Sequence, residues 1–328
     1  MISFFITLFL VDWWIGIGKR LGFMSKDMNK PGDVYAVESG GVWVAVGASF
    51  GILFLVAMYR YVGGSNYYIV ELMALTTMLF MASFLGFLDD ILGWKKGLRV
   101  WQRVLFAAPL ALPLMVIKAG VSTMALPIIG VVNLGIIYPL VLVPIGVLGA
   151  ANAFNMIAGY NGLEAGMGII LMGFIAIYSY IKGIYYITYT SIIMAAALLA
   201  FLYYNWLPAK VFPGNSLTYG VGAYYASLVI LGNFERFGLI LFTLYFIELL
   251  LFIRGLLNGV YKENYGIPNE KGELQPPYNK AYSVTHLTII LIKKIKGQAT
   301  ERDVVLTIMG IQVLIGLITL YTALYKII

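Results

Sequence analysis

The sequence predicts an all-α polytopic membrane protein of about ten transmembrane helices, and three observations support this prediction. Of the 328 residues, 61% are hydrophobic and only 11% are charged, whereas soluble domains carry about 25% charged residues. The apolar residues form stretches close to the roughly 20 residues that a helix needs to cross a bilayer. The Lys and Arg residues are also distributed unequally among the connecting segments. A water-soluble fold is therefore excluded.

Ten stretches are long and apolar enough to cross a membrane as helices, which satisfy their backbone amides internally. In chain order they are Ser3–Ile17, Gly41–Met58, Tyr68–Leu88, Val100–Ile117, Ile136–Ala153, Leu163–Ile181, Ile187–Leu207, Leu217–Leu231, Gly238–Phe252 and Val304–Leu324. No repeat or linker divides the chain, so we predict one transmembrane domain over residues 1–328, with a long loop over residues 255–303.

The long loop contains a segment with the pattern of an amphipathic helix. Over Ser283–Lys296, apolar residues share one helical face and lysines lie opposite, a pattern typical of helices at a membrane surface. The residues of the apolar face are Val284, Leu287, Ile290, Leu291 and Ile295. We therefore predict an interfacial helix here.

The distribution of basic residues predicts the orientation of the chain. If residue 1 lies outside the cytoplasm, 17 of the 22 Lys and Arg residues lie on the cytoplasmic side, as the positive-inside rule requires. We expect a multi-pass protein of the cell membrane, with both termini on the non-cytoplasmic side and the long loop in the cytoplasm. No Lys- or Arg-rich tract of the kind that nucleic-acid binding needs is present.

The composition also limits the metal chemistry. The chain has no Cys and a single His, which excludes disulfides, thiol nucleophiles and the usual zinc ligand sets. Any metal must be bound through oxygen, and Mg²⁺, with Mn²⁺ as the alternative, prefers such ligands.

Four clusters of polar residues lie at predicted helix ends, where such residues are costly unless they have a function. All four fall on the predicted cytoplasmic side. They comprise Asn29, Lys30 and Glu38; Asp89 and Asp90; Asn152, Asn155, Asn161 and Glu164; and Asn215.

The paired carboxylates of Asp89 and Asp90 repel each other, and a divalent cation or a basic partner relieves this repulsion. Mg²⁺ usually binds through one or two protein ligands together with substrate phosphates, so the pair indicates a phosphate-bearing substrate. The alternative is a solvated loop in which both carboxylates pair with Lys95, Lys96 and Arg99.

The segment 152–166 combines Asn residues, glycines and a carboxylate within fifteen residues. Asn152 and Asn155 lie three residues apart and share a helical face, and the glycines that follow permit close backbone approach to a ligand. A helix-capping turn with packing glycines is the alternative interpretation.

At these residues the sequence resembles the polyprenyl-phosphate N-acetylhexosamine-1-phosphate transferase superfamily. Ala158–Gly166 is most similar to the archaeal and eukaryotic UDP-N-acetylglucosamine:dolichyl-phosphate N-acetylglucosamine-1-phosphate transferases. Further similarities are Lys26–Lys30 followed by Glu38–Gly41, the Asp89-Asp90 pair, and Val211–Gly214. The resemblance implies a ten-helix enzyme with a cytosolic active site.

The resemblance implies a role for individual residues. Asn155 and Asn215 would be metal ligands, and Asp89, Asp90 and Arg99 would be catalytic, with Arg99 on the sugar-nucleotide pyrophosphate. The substrate-binding residues would be Met28, Asn29, Lys30, Glu38, Asn152, Gly159, Asn161, Glu164 and Lys262.

The chain departs from the family pattern at three places. Asn215 replaces the metal-binding Asp of the family, Gly93 replaces an often polar residue, and Lys262–Gly266 stands where the eukaryotic enzymes have Arg-His-Arg. The single His286 is as readily explained by a place on the interfacial helix as by catalysis.

The expected reaction is transfer of a sugar 1-phosphate from a UDP-sugar to a polyprenyl or dolichyl phosphate, which releases UMP. N-acetylglucosamine is the expected sugar, and the product would begin the assembly of a lipid-linked oligosaccharide for N-glycosylation. The alternatives are another UDP-sugar donor, a transporter or flippase of lipid-linked sugars, and a catalytically silent scaffold. The oligomeric state, including a homodimer, is left open.

Overall fold

A computed structural model describes residues 1–63, 68–92, 108–126 and 130–325. Their architecture is almost entirely helical, which confirms the predicted fold class. The helices are α1 (Ile2–Leu21), α2 (Gly41–Ala57), α3 (Ile69–Leu92), α4 (Leu112–Val116), α5 (Val143–Met156), α6 (Leu163–Ile181), α7 (Tyr185–Asn205), α8 (Gly214–Leu231), α9 (Glu235–Leu241), α10 (Thr243–Leu257), α11 (Val284–Lys296) and α12 (Glu301–Leu324).

Short irregular helices and strands complete the described elements. Two π-helical turns adjoin α2 and α5, and a 3₁₀ turn precedes α4; they span Met58–Val62, Tyr138–Leu142 and Ala108–Ala111. Three antiparallel two-stranded sheets pair β1 (Met24–Lys26) with β2 (Tyr35–Val37), β3 (Thr123–Leu126) with β4 (Gly130–Asn133), and β5 (Ile267–Pro268) with β6 (Leu274–Gln275).

Seven helical segments of the described chain are long and apolar enough to cross a membrane. They are α1, α2 with its π-helical turn, α3, the Tyr138–Met156 segment that contains α5, α6, α7 and α12. The α9–α10 pair, bent by 58°, gives an eighth if the pair is one span. The predicted count of ten is not confirmed, because residues 100–107 of the Val100–Ile117 stretch lie outside the described residues and the predicted span Leu217–Leu231 does not qualify.

The helix that contains Leu217–Leu231 is α8, which is the central helix of the bundle. Every residue from Ser216 to Leu231 is buried, and α8 packs against α2, α3, α5, α6 and α9. Its polar groups bond within the protein, as in the 3.0 Å hydrogen bond from the Tyr224 hydroxyl to the Thr190 carbonyl oxygen. Since α8 contacts protein on all sides, it does not need the apolar surface that a lipid-facing helix requires.

Close packing fixes the beginning of α8 against α3. A methyl group at Gly86 would lie 2.2 Å from the Asn215 carbonyl oxygen, so only glycine permits this approach. The end of α3, with Asp89 and Asp90, therefore lies directly beside the first turn of α8.

The predicted amphipathic helix is present as α11, with the Ser283 hydroxyl as its N-terminal cap. Its apolar residues divide between two surfaces. Val284 is buried against the protein together with Ile289 and Ile292, whereas Leu287, Leu291 and Ile295 are exposed. Val284 lies at the first turn, where the predicted face meets the bundle, so α11 packs on the protein and also exposes an apolar stripe.

Candidate active site

Two of the predicted motifs are joined by backbone hydrogen bonds. Val37 at the end of β2 pairs in parallel with Val211, and the Phe212 amide donates to the Val37 carbonyl oxygen at 2.7 Å. The amides of Gly40 and Gly41 donate to the carbonyl oxygens of Phe212 and Pro213 at 2.9 and 3.0 Å. The Glu38–Gly41 motif thus lies against the Val211–Gly214 motif, although some 170 residues separate them.

Asp90 connects this junction to the end of α3. Its carboxylate accepts hydrogen bonds from the Ser39 hydroxyl and the Asn215 amide, both at 2.7 Å, and from the Ser216 amide at 3.2 Å. The backbone amides in the first turn of a helix have no partner within the helix, and Asp90 supplies one from α3. Gly214 adopts φ 66° here, and a Cβ atom would lie 2.3 Å from the carboxylate, so glycine is required.

Oxygen-bearing side chains from α3, α5 and α8 converge next to this junction. The Asn215 side-chain amide donates to Asp89 at 2.9 Å, and the Thr218 hydroxyl donates to Asn155 Oδ1 at 3.1 Å. The Thr218 hydroxyl is also 3.3 Å from the Asn215 carbonyl oxygen. We call Asp89, Asp90, Asn155 and Asn215 the acidic corner. Arg99, the predicted catalytic cation, lies outside the described residues.

A second group of polar residues fixes the loop between α5 and α6. The Asn29 side chain donates to the Gly159 carbonyl oxygen at 2.6 Å and accepts from the Gly266 amide at 3.1 Å. The Asn161 side chain donates to Asp27 at 2.8 Å, and its backbone amide donates to Glu301 at 2.8 Å. Asn29 and Asn161 thereby join four segments that are distant in the sequence, around residues 27–29, 159–161, 266 and 301.

The same group contains Lys30 and Glu164. Lys30 forms an ion pair with Glu301, and burial lowers the pKa of the Lys30 ammonium group. Glu164 Oε1 accepts from the Gly159 amide at 2.7 Å. Glu164 Oε2 is buried and has no hydrogen-bond partner among the described residues. One oxygen of this carboxylate can therefore still accept a hydrogen bond beside the loop.

Three predicted substrate residues have surroundings that differ from those of Asn29 and Asn161. The Asn152 amide donates to the Leu148 carbonyl oxygen of its own helix at 2.8 Å. Met28 is half-buried near Asn29. The Glu38 backbone oxygen accepts from the Trp14 indole at 2.8 Å, and burial raises the pKa of the Glu38 carboxyl group despite a hydrogen bond from Ser25.

Lys262 is placed inside the protein. Its ammonium group forms an ion pair with Glu248 of α10, and the two side chains are 5% and 0% exposed. The Lys262 ammonium also donates to the Asn264 side-chain oxygen at 2.5 Å and to the Met156 carbonyl oxygen at 3.3 Å. These contacts hold the Lys262 ammonium group inside the protein, and its contact with substrate stays a prediction.

Sequence reasoning missed several residues of this region. Asp27 lies in the Lys26–Lys30 motif, but no function was predicted for it. Glu301 has the sequence pattern of an acidic residue in the first turn of a helix. Glu248 was noticeable only as an acidic residue within an apolar stretch, and Asn264 as a polar residue in a loop. None of these signals indicates which partner each residue contacts.

The acidic corner is the part of the site that could hold a metal ion. The described residues contain no group of three or more His, Cys, Asp or Glu residues that could do so. A metal there would need amide oxygens beside carboxylates, and Asp89, Asn155 and Asn215 supply that combination. This donor set fits Mg²⁺, which accepts carboxylate and Asn oxygens.

Comparison with known proteins identifies relatives over nearly the whole chain. Residues 72–233 match the family described as glycosyl transferase family 4. A Sulfolobus acidocaldarius protein, described as a candidate UDP-N-acetylglucosamine–dolichyl-phosphate N-acetylglucosaminephosphotransferase, is 32% identical across 97% of this chain and 93% of its own length.

Two further relatives extend the comparison. The Dictyostelium discoideum UDP-N-acetylglucosamine–dolichyl-phosphate N-acetylglucosaminephosphotransferase is 31% identical over 70% of this chain and 62% of its own length. The phospho-N-acetylmuramoyl-pentapeptide-transferase of Lactiplantibacillus plantarum is 32% identical over 60% of this chain and 65% of its own length.

Proposed function

The chain belongs to glycosyl transferase family 4, and we propose that it transfers N-acetylglucosamine 1-phosphate from UDP-N-acetylglucosamine to dolichyl phosphate. The observation that carries this proposal is the convergence of the acidic corner and the Asn29–Asn161 group at one end of the helical bundle. The Sulfolobus acidocaldarius and Dictyostelium discoideum relatives are named for the same donor and acceptor.

In the proposed reaction, an oxygen of the acceptor phosphate forms a bond to the β-phosphorus of the donor. The bond between that phosphorus and the bridging oxygen breaks, and UMP leaves with the electron pair. The second pKa of a phosphate monoester is about 6, so the attacking oxygen is already largely ionised at neutral pH. The enzyme therefore needs to align the two substrates and to neutralise charge.

The residues of the acidic corner fit two different tasks. Asp90 already accepts three hydrogen bonds, so we assign it to holding the first turn of α8 in place. Asp89, Asn155 and Asn215 would hold Mg²⁺, or Mn²⁺ in its place, which supplies positive charge for the diphosphate when it is bound. Arg99 remains our candidate for a contact with the pyrophosphate.

The Asn215 amide limits how tightly the metal is held. A carboxylate at this position would add a negative charge, whereas an amide oxygen is a neutral ligand. In the structure the Asn215 NH₂ group faces Asp89, and rotation of the amide would turn its oxygen toward the carboxylate side. Asp89 is then the principal source of negative charge for the metal.

We further propose that the site faces the cytoplasm. Lys30, which follows the end of α1, contacts Glu301 at the beginning of α12, so both helices have these ends beside the site. Their other ends, near residues 2 and 324, therefore lie at the opposite end of the bundle. This arrangement supports the expectation that both termini are on the non-cytoplasmic side.

The activity is tested by measuring UMP release from UDP-N-acetylglucosamine with short-chain dolichyl phosphate in detergent. We expect release that depends on Mg²⁺ and stops in excess chelator. A panel of other UDP-sugars tests the identity of the donor. A faster reaction with another UDP-sugar would show that UDP-N-acetylglucosamine is not the preferred donor. No release with any donor would contradict the transferase assignment, and release in excess chelator would contradict the metal assignment.

Orientation is tested by labelling with a membrane-impermeant thiol reagent, because the chain has no Cys of its own. The exposed residues Lys182, between α6 and α7, and Lys271, in the long loop, provide single-cysteine variants at opposite ends. We expect Lys182→Cys to be labelled in intact cells and Lys271→Cys only after the cells are opened. The reverse pattern would place the site outside the cytoplasm.

A further inference from the structure

The buried ion pair between Glu248 and Lys262 lies in a network of hydrogen bonds near the site. Glu248 Oε1 faces the Lys262 ammonium group, and Oε2 accepts from the Ser283 hydroxyl at 3.0 Å and the Val284 amide at 2.6 Å. The three protons of the ammonium group have three acceptors, Glu248, Asn264 and the Met156 carbonyl oxygen. Both charges are thereby satisfied.

Such a pair is weak evidence for stability. Transfer of two charges out of water costs several kcal/mol, and apolar residues of similar volume often stabilise a protein as well or better. A buried pair whose polar atoms all have partners does fix geometry, because moving any member leaves an unpaired charge in a medium of low dielectric. The segments that Glu248 and Lys262 join are therefore held in one arrangement.

Those segments meet at the end of α5. The Asn264 side chain donates to the carbonyl oxygens of Met156 and Ala158, at 2.9 and 2.8 Å. The last carbonyl groups of a helix have no partner inside the helix and carry partial negative charge. A lysine ammonium and an Asn amide, both from the loop after α10, supply the missing partners.

The residue immediately before Met156 is Asn155 of the acidic corner. A shift in the last turn of α5 would move Asn155 relative to Asp89 and Asn215, which are held by α3 and α8. The Tyr160 hydroxyl also donates to the Asn264 carbonyl oxygen at 3.2 Å, and the Thr285 hydroxyl donates to the same oxygen at 2.9 Å. Asn264 thus connects the ion pair, the loop after α5 and the beginning of α11.

We propose that Glu248 and Lys262 are positioning residues for the diphosphate site, which they control through Asn264 and the last turn of α5. The proposal rests on the proposed function, because it assigns Asn155 to the metal. It explains a buried acidic residue in a membrane-spanning segment and a buried lysine in the long loop by one arrangement. As positioning residues, Glu248 and Lys262 act without contacting substrate.

The test measures the affinity of purified protein in detergent for Mn²⁺ alone, by electron paramagnetic resonance, together with the melting temperature. One variant, Glu248→Gln with Lys262→Met, removes both charges so that neither is left unpaired. Asn264→Ala removes the bonds to Met156 and Ala158 and the acceptor that Asn264 offers to Lys262, and it keeps both charges of the ion pair. Substitutions of residues that support a ligand typically weaken metal binding 10- to 100-fold, and we expect about tenfold for each.

Because Lys262 and Asn264 donate to the same carbonyl oxygen in the last turn of α5 and bond to each other, the two changes should not add. The variant that combines the two changes should lose about as much Mn²⁺ affinity as whichever of the two variants loses more. If the changes acted independently, the two fold-losses of affinity would multiply. Unchanged Mn²⁺ affinity in a folded variant, or multiplying effects, would overturn the proposal. If the charge-removal variant does not fold, Asn264→Ala decides alone.

The matched control is Tyr138→Phe. Tyr138 lies shortly before the first residue of α5, at the end of that helix away from Asn155, and the substitution removes its hydrogen bond to Glu235. It should lower the melting temperature without changing Mn²⁺ affinity, and a purely structural function of the ion pair would give the same result. Wild-type protein that binds Mn²⁺ but releases no UMP would contradict the proposed function and leave the positioning proposal intact. Wild-type protein that binds no Mn²⁺ would overturn the positioning proposal.

Discussion

The two ends of the helical bundle use their polar residues in different ways. At the site end, polar side chains bond to segments far away in the chain, as Asn161 does to Asp27 and Glu301. At the opposite end, a cavity of about 450 Å³ is lined by residues that include Lys182, Asn233 and Arg236, and these three are exposed.

The difference lies in how the polar groups are held. The cavity at the opposite end is lined by charged residues that are exposed to solvent. The groups of the acidic corner are held in position by hydrogen bonds before substrate arrives. Groups fixed in this way need no reorganisation during a reaction, which is the property that electrostatic catalysis requires.

The largest expected effect is at Asn215. Asn215→Ala removes a metal ligand and the bond to Asp89, and we expect UMP release to fall about 1,000-fold, the upper range for loss of one fixed electrostatic group. Asn215→Asp keeps an oxygen ligand and adds a charge, so activity should be retained or raised. Equal rates in wild type and both variants would remove Asn215 from the site.

A change of pH should affect the site end through His286, which is buried on α11 and has Nε2 2.8 Å from the Glu263 carbonyl oxygen. Burial lowers the pKa of His286 to about 4 from its ordinary value of 6.5. Between these values the unfolded chain binds more protons, so stability is full above pH 6.5 and falls as the pH decreases toward 4.

The measurement is the free energy of unfolding of wild type and His286→Gln across this range. Gln keeps an N–H donor for Glu263 and does not titrate. Between pH 6.5 and pH 4, the free energy of unfolding of wild type should fall by up to about 3 kcal/mol more than that of the variant. Parallel curves for the two proteins would show that His286 does not titrate in this way.

A smaller effect is expected at Asn29, which binds the Gly159 loop to Gly266. Asn29→Ala leaves the Gly159 carbonyl oxygen and the buried Gly266 amide without this partner and frees the loop. We therefore expect about a tenfold loss of UMP release, which corresponds to about 1.4 kcal/mol. The matched control is Asn258→Ala. Asn258 directly follows α10, and its exposed side chain donates to the carbonyl oxygen of Arg254 in that helix. Similar losses in both variants would contradict the assignment.

The smallest effect on activity is expected at the opposite end. Tyr138→Phe breaks the hydrogen bond to Glu235, so the protein should lose about 1 kcal/mol of stability, the usual contribution of one such bond. UMP release at a temperature well below the melting point should change less than twofold. A loss comparable to that of Asn29→Ala would show that the two ends are coupled and would remove the contrast between them.

The sequence by itself determined the helical architecture and most of the acidic corner. Long apolar stretches must form helices in hydrocarbon because backbone amides have no other partners there. Asp89, Asp90 and Asn215 were recognisable because charged and amide groups at the ends of apolar stretches are costly without a function. These inferences need only residue type and local spacing.

Tertiary structure decided which groups meet. Lys30 and Glu301 are 271 positions apart, and no local pattern connects them. The sequence placed Lys262 and Asn152 at the substrate, whereas packing directs one toward Glu248 and the other toward its own helix. Packing between helices also makes α8 the buried centre of the bundle. Side-chain direction depends on how distant helices pack, and that arrangement is a property of the whole chain rather than of any one segment.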